Sequence, residues 1–389
     1  MGLRVGFVRE LFRGENRVAI MPGALPILKK AGVEWIMEAG AGERAGFPDA
    51  EYRERGVRVL ESRAEVLAAA EAIVQVRTLG ANPDTGAGDL ALLGRGQTLI
   101  GFGEPLTALA AARTLAEHGV DFLAMELMPR ITRAQGMDAL SSMATVAGYK
   151  AALIAASALP RMFPMLMTAA GTVTPARVLV IGAGVAGLQA IATARRLGAV
   201  VSGYDVRAAV KEQIESLGAR FVVLDLEGGG AEDKGGYAKA MGDEFYRRQR
   251  NLLGAVLAEQ QAVITTAAVP GRKAPILITG DMVARMAPGS VIVDIAAERG
   301  GNCELTRPGE TVEYNGVAVI GPINLASSIP YHASQMYARN IATFLAHLVK
   351  DGRLALDRED EIVRETLVTY RGEVVHPRVL EAMGATHAL

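Results

Sequence analysis

The residues best suited to chemistry lie near the middle of the chain, where 177–205 reads RVLVIGAGVAGLQAIATARRLGAVVSGYD. An apolar run meets Gly182, Gly184 and Gly187, and a helix-like segment and a second apolar run follow, ending in Asp205. Glycines at these places permit a tight turn, let the backbone approach a pyrophosphate, and let a helix lie close to a strand. The helix amino terminus offers N–H groups and a partial positive charge to phosphates. The pattern predicts a dinucleotide site in which Asp205 binds a ribose diol.

A glycine turn in an ordinary strand–helix–strand unit is the alternative explanation, because glycines mark many turns. The strand before the turn, the helix after it and the acid at a suitable distance all agree, and this agreement favours nucleotide binding. The carboxylate of Asp205 also favours NAD over NADP, since it repels a 2′-phosphate. Arg207, two residues further on, weakens that distinction.

A second polar segment, Pro129–Ser142, reads PRITRAQGMDALSS and precedes a long apolar stretch. Asp138 can cap a helix that begins there. Arg130, Gln135 and Ser141 have no evident role in packing. Composition alone favours a solvated loop with a helix cap over a functional site.

Strand-like and helix-like stretches alternate along the chain, which predicts parallel sheets flanked by helices. Toward the amino terminus these are Leu3–Val8, Ala24–Ala31, Val33–Ala39, Arg63–Ala70, Ile73–Arg77, Gln97–Phe102, Leu106–Glu117 and Asp121–Ala124, with a turn-rich loop at Gly80–Asp89. Later come a helix at Leu140–Ser157, strands at Val178–Ile181, Arg220–Leu224, Ala262–Thr266, Ser290–Asp294 and Val317–Ile320, and a helix at His332–Lys350.

The fold class that follows is α/β, with two Rossmann-like doubly wound parallel-sheet domains linked by long helices and a cleft between them. A length of 389 residues is large for one core, which also favours two domains. We expect a discontinuous first domain at 1–140 plus 325–389 and a nucleotide-binding domain at 141–324.

Composition narrows the classes of function. The 41 basic and 42 acidic residues give a formal net charge of −1, so no bulk field attracts nucleic acid or an anionic membrane. Cys303 is the only cysteine, which excludes an internal disulfide, and we interpret it as a small packed residue. The five histidines show no metal-ligand spacing with one another or with Cys303, so no metal site is expected. The most apolar segment, Ala144–Thr174, is interrupted by Lys150 and by prolines, and we expect a buried helix and loop there.

The segment Leu226–Met241 combines five glycines with charged residues, so it can bury little apolar surface. A tolerated surface insertion and a lid over a bound ligand explain it equally well. In the second case Tyr237 is the aromatic side chain that would cover the ligand.

Taken together, several motifs resemble one family: GENRVAIMPG at Gly14–Gly23, ELMPRITRAQGMDALSS at Glu126–Ser142, the glycine turn, GGYAKAM at Gly235–Met241 and TTAAVPGRKAPILIT at Thr265–Thr279. The chain is similar over essentially its whole length to the NAD(H)-binding component, domain I, of the proton-translocating, Si/Re-specific nicotinamide nucleotide transhydrogenases. The resemblance implies an enzyme component that passes hydride between NADH and NADP⁺ held by a partner subunit.

The resemblance also implies roles for individual positions. Those matching the loop that holds the nicotinamide end of NAD(H) are Arg130, Gln135, Asp138 and Ser141, with Gln135 reaching toward the partner's NADP(H) site. Those matching contacts to the rest of the nucleotide are Gly182, Gly184, Val185, Ala186, Gly187, Asp205, Val206, Arg207 and Ala267. Tyr237 matches the tyrosine of the loop that closes over the bound nucleotide.

The partners implied by the resemblance are a second copy of the chain, an NADP(H)-binding domain III on a beta subunit, and membrane domain II. The implied location is therefore cytoplasmic, peripheral on the inner membrane through the partner subunits.

Alanine dehydrogenase is the alternative, because it is similar in architecture and binds NAD by itself. Oxidation of an amine releases a proton as well as a hydride, so it requires a group that titrates usefully. Alanine dehydrogenases use a lysine and a histidine, and the matching positions here hold Arg77 and Glu104. Arginine does not give up a proton at ordinary pH, whereas exchange of hydride between two nicotinamide rings requires no acid or base. The sequence therefore favours the transhydrogenase component.

Overall fold

The computed structural model describes residues 2–224, 243–268 and 271–384. The strands are β1 (Leu3–Phe7), β2 (Val33–Glu38), β3 (Arg58–Leu60), β4 (Ala72–Arg77), β5 (Thr98–Phe102), β6 (Asp121–Ala124), β7 (Leu166–Thr168), β8 (Gly171–Val173), β9 (Arg177–Ile181), β10 (Val200–Tyr204), β11 (Arg220–Phe221), β12 (Ala262–Thr265), β13 (Val291–Asp294), β14 (Thr311–Tyr314), β15 (Val317–Ile320), β16 (Val349–Lys350), β17 (Arg353–Leu354), β18 (Leu367–Tyr370) and β19 (Glu373–Val374).

The α-helices are α1 (Asp49–Arg53), α2 (Arg63–Ala69), α3 (Gly86–Leu90), α4 (Leu109–His118), α5 (Ala139–Ala158), α6 (Val185–Arg196), α7 (Lys211–Ser216), α8 (Asp243–Ala258), α9 (Gly280–Val283), α10 (Pro330–Leu348), α11 (Glu361–Thr366) and α12 (Pro377–Ala382). Shorter 3₁₀ segments span Pro22–Ala31, Glu43–Ala45, Leu79–Ala81, Met125–Leu127, Thr132–Met137, Ala208–Val210, Ile295–Arg299 and Leu325–Ser328.

The chain divides into two units. Unit 1 comprises Met1–Met143 and Ser327–Leu389, and unit 2 comprises Ala144–Ala326. That these units are the functional domains expected at 1–140 with 325–389 and at 141–324 stays a prediction, as does a cleft between them.

Unit 1 contains an eight-stranded sheet in the order β19-β18-β6-β5-β4-β1-β2-β3. The six strands from β1 to β6 are parallel and run in the doubly wound order 3-2-1-4-5-6. The central strand β4 is buried on both faces except at its last residue, as expected for a parallel strand covered by helices on both sides. The expected α/β class is therefore confirmed for this unit.

The sheet of unit 1 extends beyond its parallel strands in a way that the sequence did not predict. The carboxy-terminal strand β18 pairs antiparallel with β6, and β19 pairs antiparallel with β18. The side-chain hydroxyl of Thr369 donates to the carbonyl of Val120 at 2.7 Å, which fixes the added strand at the sheet edge. These strands are short and lack a clear alternation of polar and apolar residues, so the sequence carries little signal for them.

Unit 2 contains a seven-stranded sheet in the order β11-β10-β9-β12-β13-β15-β14. Its strands are parallel except β14, which pairs antiparallel with β15 at one edge. The first strand of the sheet in chain order, β9, lies in its interior, between β10 and β12. This is the place where the strand order reverses and where doubly wound sheets bind ligands beyond the carboxyl ends of their strands.

The loop predicted at Gly80–Asp89 is partly wrong, because α3 begins at Gly86. The backbone N–H of Gly86 donates to the carbonyl of Asn82 at 2.9 Å, which closes a turn before the helix. Asp89 is buried and both its oxygens accept hydrogen bonds from Arg63 at 2.6 Å. A distant ion pair thus stabilises a glycine-rich segment that local composition assigns to a loop.

Within the described residues, α5 is the helix that is long and apolar enough to cross a membrane by length and composition. It begins at Ala139, before the segment that we considered, and Lys150 lies within it as expected. Core helices of soluble proteins pass the same test, and Ala151, Ala152 and Ala155 are fully buried in unit 2. Only 39% of its most apolar stretch is buried, so some of the helix surface stays accessible in a single chain.

Candidate functional site

The glycine turn of unit 2 joins β9 to α6. Gly182 has a φ of 95°, a conformation that favours glycine, and its N–H donates to the carbonyl of Tyr204 at 2.8 Å. A Cβ on Gly187 would lie 1.8 Å from the carbonyl oxygen of Gly182, so only glycine lets the first turn of α6 lie against the loop. The hydroxyl of Thr266, just after β12, donates to that same carbonyl at 3.0 Å.

The amino terminus of α6 is open. Gly184 caps the helix and is exposed, and among the described residues no heavy atom beyond Gly184 and its two chain neighbours lies within 4 Å of the place where its Cβ would stand. The next residue, Val185, is also exposed, and Ala186 is half-buried. The N–H groups in the first turn of a helix lack intrahelical partners, so this end of α6 can receive an anion.

Asp205 follows β10 and is buried beside the turn. One of its oxygens, Oδ2, accepts from the backbone N–H of Ala183 at 2.7 Å, and Oδ1 accepts from the backbone N–H of Arg207 at 2.9 Å. The guanidinium of Arg207 binds both oxygens, with Nε at 2.9 Å and Nη2 at 2.8 Å. The acid is therefore fixed to the glycine turn by a main-chain bond, and Val206 lies between it and its ion-pair partner.

Ala267 lies at the same edge of the sheet, just after β12. Its N–H donates to the Oδ1 of Asn302 at 2.9 Å, and the amide nitrogen of Asn302 returns a bond to its carbonyl at 2.8 Å. Asn302 is in turn fixed by its own N–H, which donates to the buried Asp294 at 2.7 Å. Asp294 and Asn302 were not predicted from the sequence, because they bind residues elsewhere in the chain, Thr265 and Ala267, and form no recognisable motif with their neighbours.

The polar loop of unit 1 leads from the 3₁₀ segment Thr132–Met137 into α5. Asp138 begins the helix: its Oδ1 accepts from the N–H of Ser141 at 2.9 Å and its Oδ2 from the hydroxyl of Ser141 at 2.5 Å. Asp138 is thus a helix cap, as expected from the sequence. Arg130 and Gln135 are exposed, so their side chains are accessible to a ligand.

Two anchors hold this loop within unit 1. The amide nitrogen of Asn340 on α10 donates to the carbonyl of Gly136 at 2.9 Å, and Asn340 is buried. Arg133 binds Asp360, the cap of α11, at 2.7 Å, and Asp360 also contacts the ring Nε2 of His347 at 3.1 Å. The first anchor adjoins Gln135 directly. The loop is therefore fixed from its own unit, while Arg130 and Gln135 are exposed at its surface.

The carboxyl ends of the parallel strands in unit 1 meet at a group of buried charges. Glu15 and Arg17 form a bidentate pair with distances of 2.7 and 2.6 Å, and both side chains are almost fully buried. Arg77, at the end of β4, also binds Glu15 at 3.1 Å, and its guanidinium lies 4.2 Å from the ring centre of Phe12. Opposite charges stabilise the ionised carboxylate here and lower the pKa of Glu15 to about 2, although burial opposes this.

Two other carboxyl groups near this edge hold protons more tightly. Burial and the neighbouring Glu15 raise the pKa of Glu10 to about 8, although its oxygens accept backbone N–H bonds from Val76 and Arg77 at 2.6 and 3.2 Å. Burial and the neighbouring Glu104 raise the pKa of Glu126 to about 7. Neither raised pKa value was predicted from the sequence, because each depends chiefly on burial of the carboxyl group by the fold.

The positions that the alanine dehydrogenase alternative singled out have structural roles in unit 1. Arg77 is held by Glu15, as described above. Glu104 has a φ of 49°, and its N–H donates to Oε1 of Glu126 at 2.6 Å. That Arg77 and Glu104 correspond to the lysine and histidine of alanine dehydrogenases stays a prediction.

Three further expectations concern the segment around Tyr237, the single cysteine and metal ligands. Tyr237 and the segment Leu226–Met241 lie outside the described residues. Cys303 is fully buried, and burial raises the pKa of its thiol to about 11, which agrees with a packed residue. Among the residues that the structure describes, no group of three His, Cys, Asp or Glu side chains could hold a metal ion.

The structure therefore brings the expected residues together in two sets. Gly182, Gly187 and Asp205 are linked within unit 2, and Asp138 is linked to Ser141 within unit 1. That the two sets serve one ligand stays a prediction.

Comparisons with known proteins identify the relatives of this chain. The family model for the N-terminal domain of alanine dehydrogenase/PNT matches residues 6–147, and that for the C-terminal domain matches 151–377. The chain is 45% identical over 386 residues to the first portion of the NAD(P) transhydrogenase alpha subunit of Rhodospirillum rubrum, covering 98% of this chain and all of the relative. It is 30% identical to the alanine dehydrogenase of Mycobacterium tuberculosis, covering 98% of this chain and 97% of the relative. A crystal structure of transhydrogenase from Sinorhizobium meliloti superposes with a TM-score of 0.82 at 42% identity, covering 96% of this chain and 99% of that one.

The raised pKa values at the unit 1 sheet edge predict how stability depends on pH. A carboxyl group whose pKa is about 8 when folded and 4.5 when unfolded retains its proton in the native state, so unfolding releases it between these values. The free energy of unfolding should therefore fall as the pH rises from 6 to 8, by at most about 1.4 kcal/mol per pH unit for Glu10.

Urea unfolding at pH 6, 7, 8 and 9 measures this dependence. Glu10→Gln should flatten the slope between pH 6 and 8, whereas Glu54→Gln, which removes an exposed carboxylate, should leave it unchanged. Equal slopes for wild type and Glu10→Gln would show that Glu10 is ionised throughout this range.

Proposed function

The chain belongs to the alanine dehydrogenase/PNT family, and on this premise we propose that it is the NAD(H)-binding subunit of an NAD(P) transhydrogenase. In this proposal it passes hydride between NADH and NADP⁺ held by a partner subunit, in the Si/Re-specific, proton-translocating class. Identity to a transhydrogenase subunit is 45% and to an alanine dehydrogenase 30%, each over nearly the whole chain, and this difference favours the transhydrogenase.

The observation that carries nucleotide binding is the set of contacts around the glycine turn in unit 2. The exposed amino terminus of α6 at Gly184 leaves room for a pyrophosphate, and its N–H groups supply donors. Asp205 is fixed beside the turn, where a carboxylate can accept bonds from the adenosine ribose. Gly182, Val185, Ala186, Gly187, Val206, Arg207 and Ala267 line or support this edge, and Tyr237 would close over the nucleotide.

The residues around the nicotinamide would come from the polar loop of unit 1. A bound nicotinamide ring supplies the hydride chemistry, and the task of the chain is to orient the ring and to exclude water. Arg130 and Gln135 are exposed hydrogen-bonding groups, while Asp138 and Ser141 form a fixed pair at the start of α5. We propose that these four hold the carboxamide and that Gln135 reaches toward the partner's nucleotide.

Amino-acid oxidation is the second candidate function, favoured by the 30% identity to an alanine dehydrogenase. The geometry at Arg77 argues against it. This guanidinium is bound to Glu15, and arginine remains protonated, so it cannot accept the proton released from an amine. Hydride exchange between two nicotinamide rings requires no such group.

A pair of assays distinguishes the two functions. The purified chain mixed with NAD⁺ and L-alanine should give no steady increase in NADH absorbance. With a soluble NADP(H)-binding partner domain added, it should catalyse exchange between NADPH and the acetylpyridine analogue of NAD⁺. Steady NADH production from alanine, or NADH binding without any exchange, would contradict the proposal.

Substitution of Gln135 tests the proposed role of the polar loop. Gln135→Asn shortens the side chain by one methylene and displaces its amide from the position required to orient the two rings. We expect the rate of hydride exchange to fall by about tenfold or more, while the Kd for NADH changes by less than about threefold. Stopped-flow exchange and NADH fluorescence titration measure the two effects. Thr132→Ser, a change at an exposed neighbour, is the control, and an equal loss of binding and exchange would contradict the assigned role.

The partners follow from the same proposal. We propose a homodimer that docks against an NADP(H)-binding domain III of a beta subunit, with membrane domain II moving the protons. The chain would then lie on the cytoplasmic face of the inner membrane, held there by its partner subunits. The family relationship supports this arrangement, since the Rhodospirillum rubrum relative is named as a portion of a larger subunit.

The β7–β8 hairpin of unit 2 supports the homodimer. It is a two-stranded sheet without further strands, an arrangement that is marginally stable alone in water. Met165 is 54% exposed and Met167 80% exposed, so the hairpin presents apolar surface that folding of the single chain leaves uncovered. We propose that a second copy of the chain covers it.

Substitution at the hairpin tests this interface. Met167→Glu places a charge on the apolar surface and should convert a dimer largely to monomer at micromolar concentration, whereas Met167→Leu should remain dimeric. Light scattering coupled to size-exclusion chromatography measures the mass. A monomeric wild type, or a Met167→Glu variant that stays dimeric, would exclude the hairpin as the interface.

A further inference from the structure

The carboxylate of Asp205 has all its hydrogen-bonding capacity occupied by its own chain. The N–H groups of Ala183 and Arg207 donate to Oδ2 and Oδ1 at 2.7 and 2.9 Å. The guanidinium of Arg207 adds bonds from Nε at 2.9 Å and from Nη2 at 2.8 Å. A carboxylate offers about four lone-pair directions, so these four bonds leave none for another donor.

The two kinds of bond have different consequences. The main-chain bonds fix the carboxylate relative to the glycine turn and are compatible with any ligand. The side-chain bonds form a fork of two parallel donors on two oxygens. A ribose diol approaches a carboxylate in the same way, with two neighbouring O–H donors. The guanidinium therefore occupies the positions from which the diol would bind.

We propose that the guanidinium of Arg207 takes the place of the adenosine ribose. It must leave Asp205 before NAD(H) can bind there. The inference rests on the proposed function, because it takes Asp205 as the ribose acceptor. Its consequence is a specificity-determining role: Arg207 weakens the binding of NAD(H) and reduces the preference for a 2′-hydroxyl over a 2′-phosphate.

Burial makes the competition effective. The side chain of Asp205 is 5% exposed and that of Arg207 is 13% exposed, so water screens the pair little. When only a fraction of the protein has the acid available, the apparent Kd rises by the inverse of that fraction. Because the ion pair between Arg207 and Asp205 is formed in most molecules, we expect removal of the guanidinium to tighten NADH binding by about fivefold.

The freed guanidinium accounts for the effect on cofactor choice. Once displaced, Arg207 remains two residues from the ribose acceptor and carries a positive charge. A 2′-phosphate gains from a nearby arginine, while a 2′-hydroxyl does not. Removal of Arg207 should therefore strengthen NADH binding and weaken NADPH binding, changes of opposite sign that a general effect on folding or affinity would not produce.

The experiment compares ligands and variants of the full chain. Fluorescence titration gives the Kd of NADH, NADPH and reduced nicotinamide mononucleotide, which lacks the adenosine ribose, for wild type and Arg207→Ala. Lys211→Gln removes an exposed cation four residues further along without breaking a bond to Asp205, and it serves as the matched control. Asp205→Asn with and without Arg207→Ala completes a double-mutant cycle. Thermal unfolding by circular dichroism verifies that each variant is folded.

Four results together would support the proposal. Arg207→Ala binds NADH about fivefold more tightly and NADPH more weakly; its binding of the mononucleotide is unchanged; Lys211→Gln shows no gain for NADH; and Asp205→Asn abolishes the gain. An unchanged or higher Kd for NADH in Arg207→Ala would overturn it, since Arg207 would then be inert or a direct ligand contact. Failure of wild type to bind NADH at all would instead refute the proposed function.

Discussion

The close approach of α6 to the turn after β9 is the constraint on which the nucleotide site depends. A Cβ added at Gly187 would lie only 1.8 Å from the carbonyl oxygen of Gly182, so the helix and the turn could not both stay in place if this residue had a side chain. The same carbonyl accepts the hydroxyl of Thr266, and the turn's Ala183 holds Asp205. One steric requirement thus aligns the helix amino terminus, the residue after β12 and the carboxylate of Asp205.

The glycine turn was predictable from sequence because its components lie close together in the chain. Strand, turn, helix and acid occupy 177–205 and follow one another in a fixed order, so local spacing carries the geometry. The sequence predicted parallel sheets, because strand-like and helix-like stretches alternate. It did not predict which strands lie at the edges of each sheet. The carboxy-terminal β18 and β19 gave no periodic signal, and they join their sheet through pairing with a strand far away in sequence.

The polar residues that sequence reasoning missed share a different property. Asn302 supports Ala267 across 35 positions, and Glu15 binds Arg77 across 62. Such pairs are assembled by the fold, so neither partner stands out when the chain is examined segment by segment. The polar loop was an intermediate case: Asp138 was recognisable as a cap, whereas the anchor from Asn340 to Gly136 required the structure. A resemblance to a family supplied the roles that spacing could not.

Unit 1 is built from both ends of the polypeptide, with unit 2 inserted between them. The strand that closes one side of its sheet, β18, begins only at Leu367 of a 389-residue chain. During synthesis, the six parallel strands of unit 1 leave the ribosome with the edge of β6 uncovered, and all of unit 2 must be translated before β18 is made. An exposed strand edge invites pairing with other chains. Translation therefore includes an interval in which the edge of β6 lacks the strand that covers it in the folded unit.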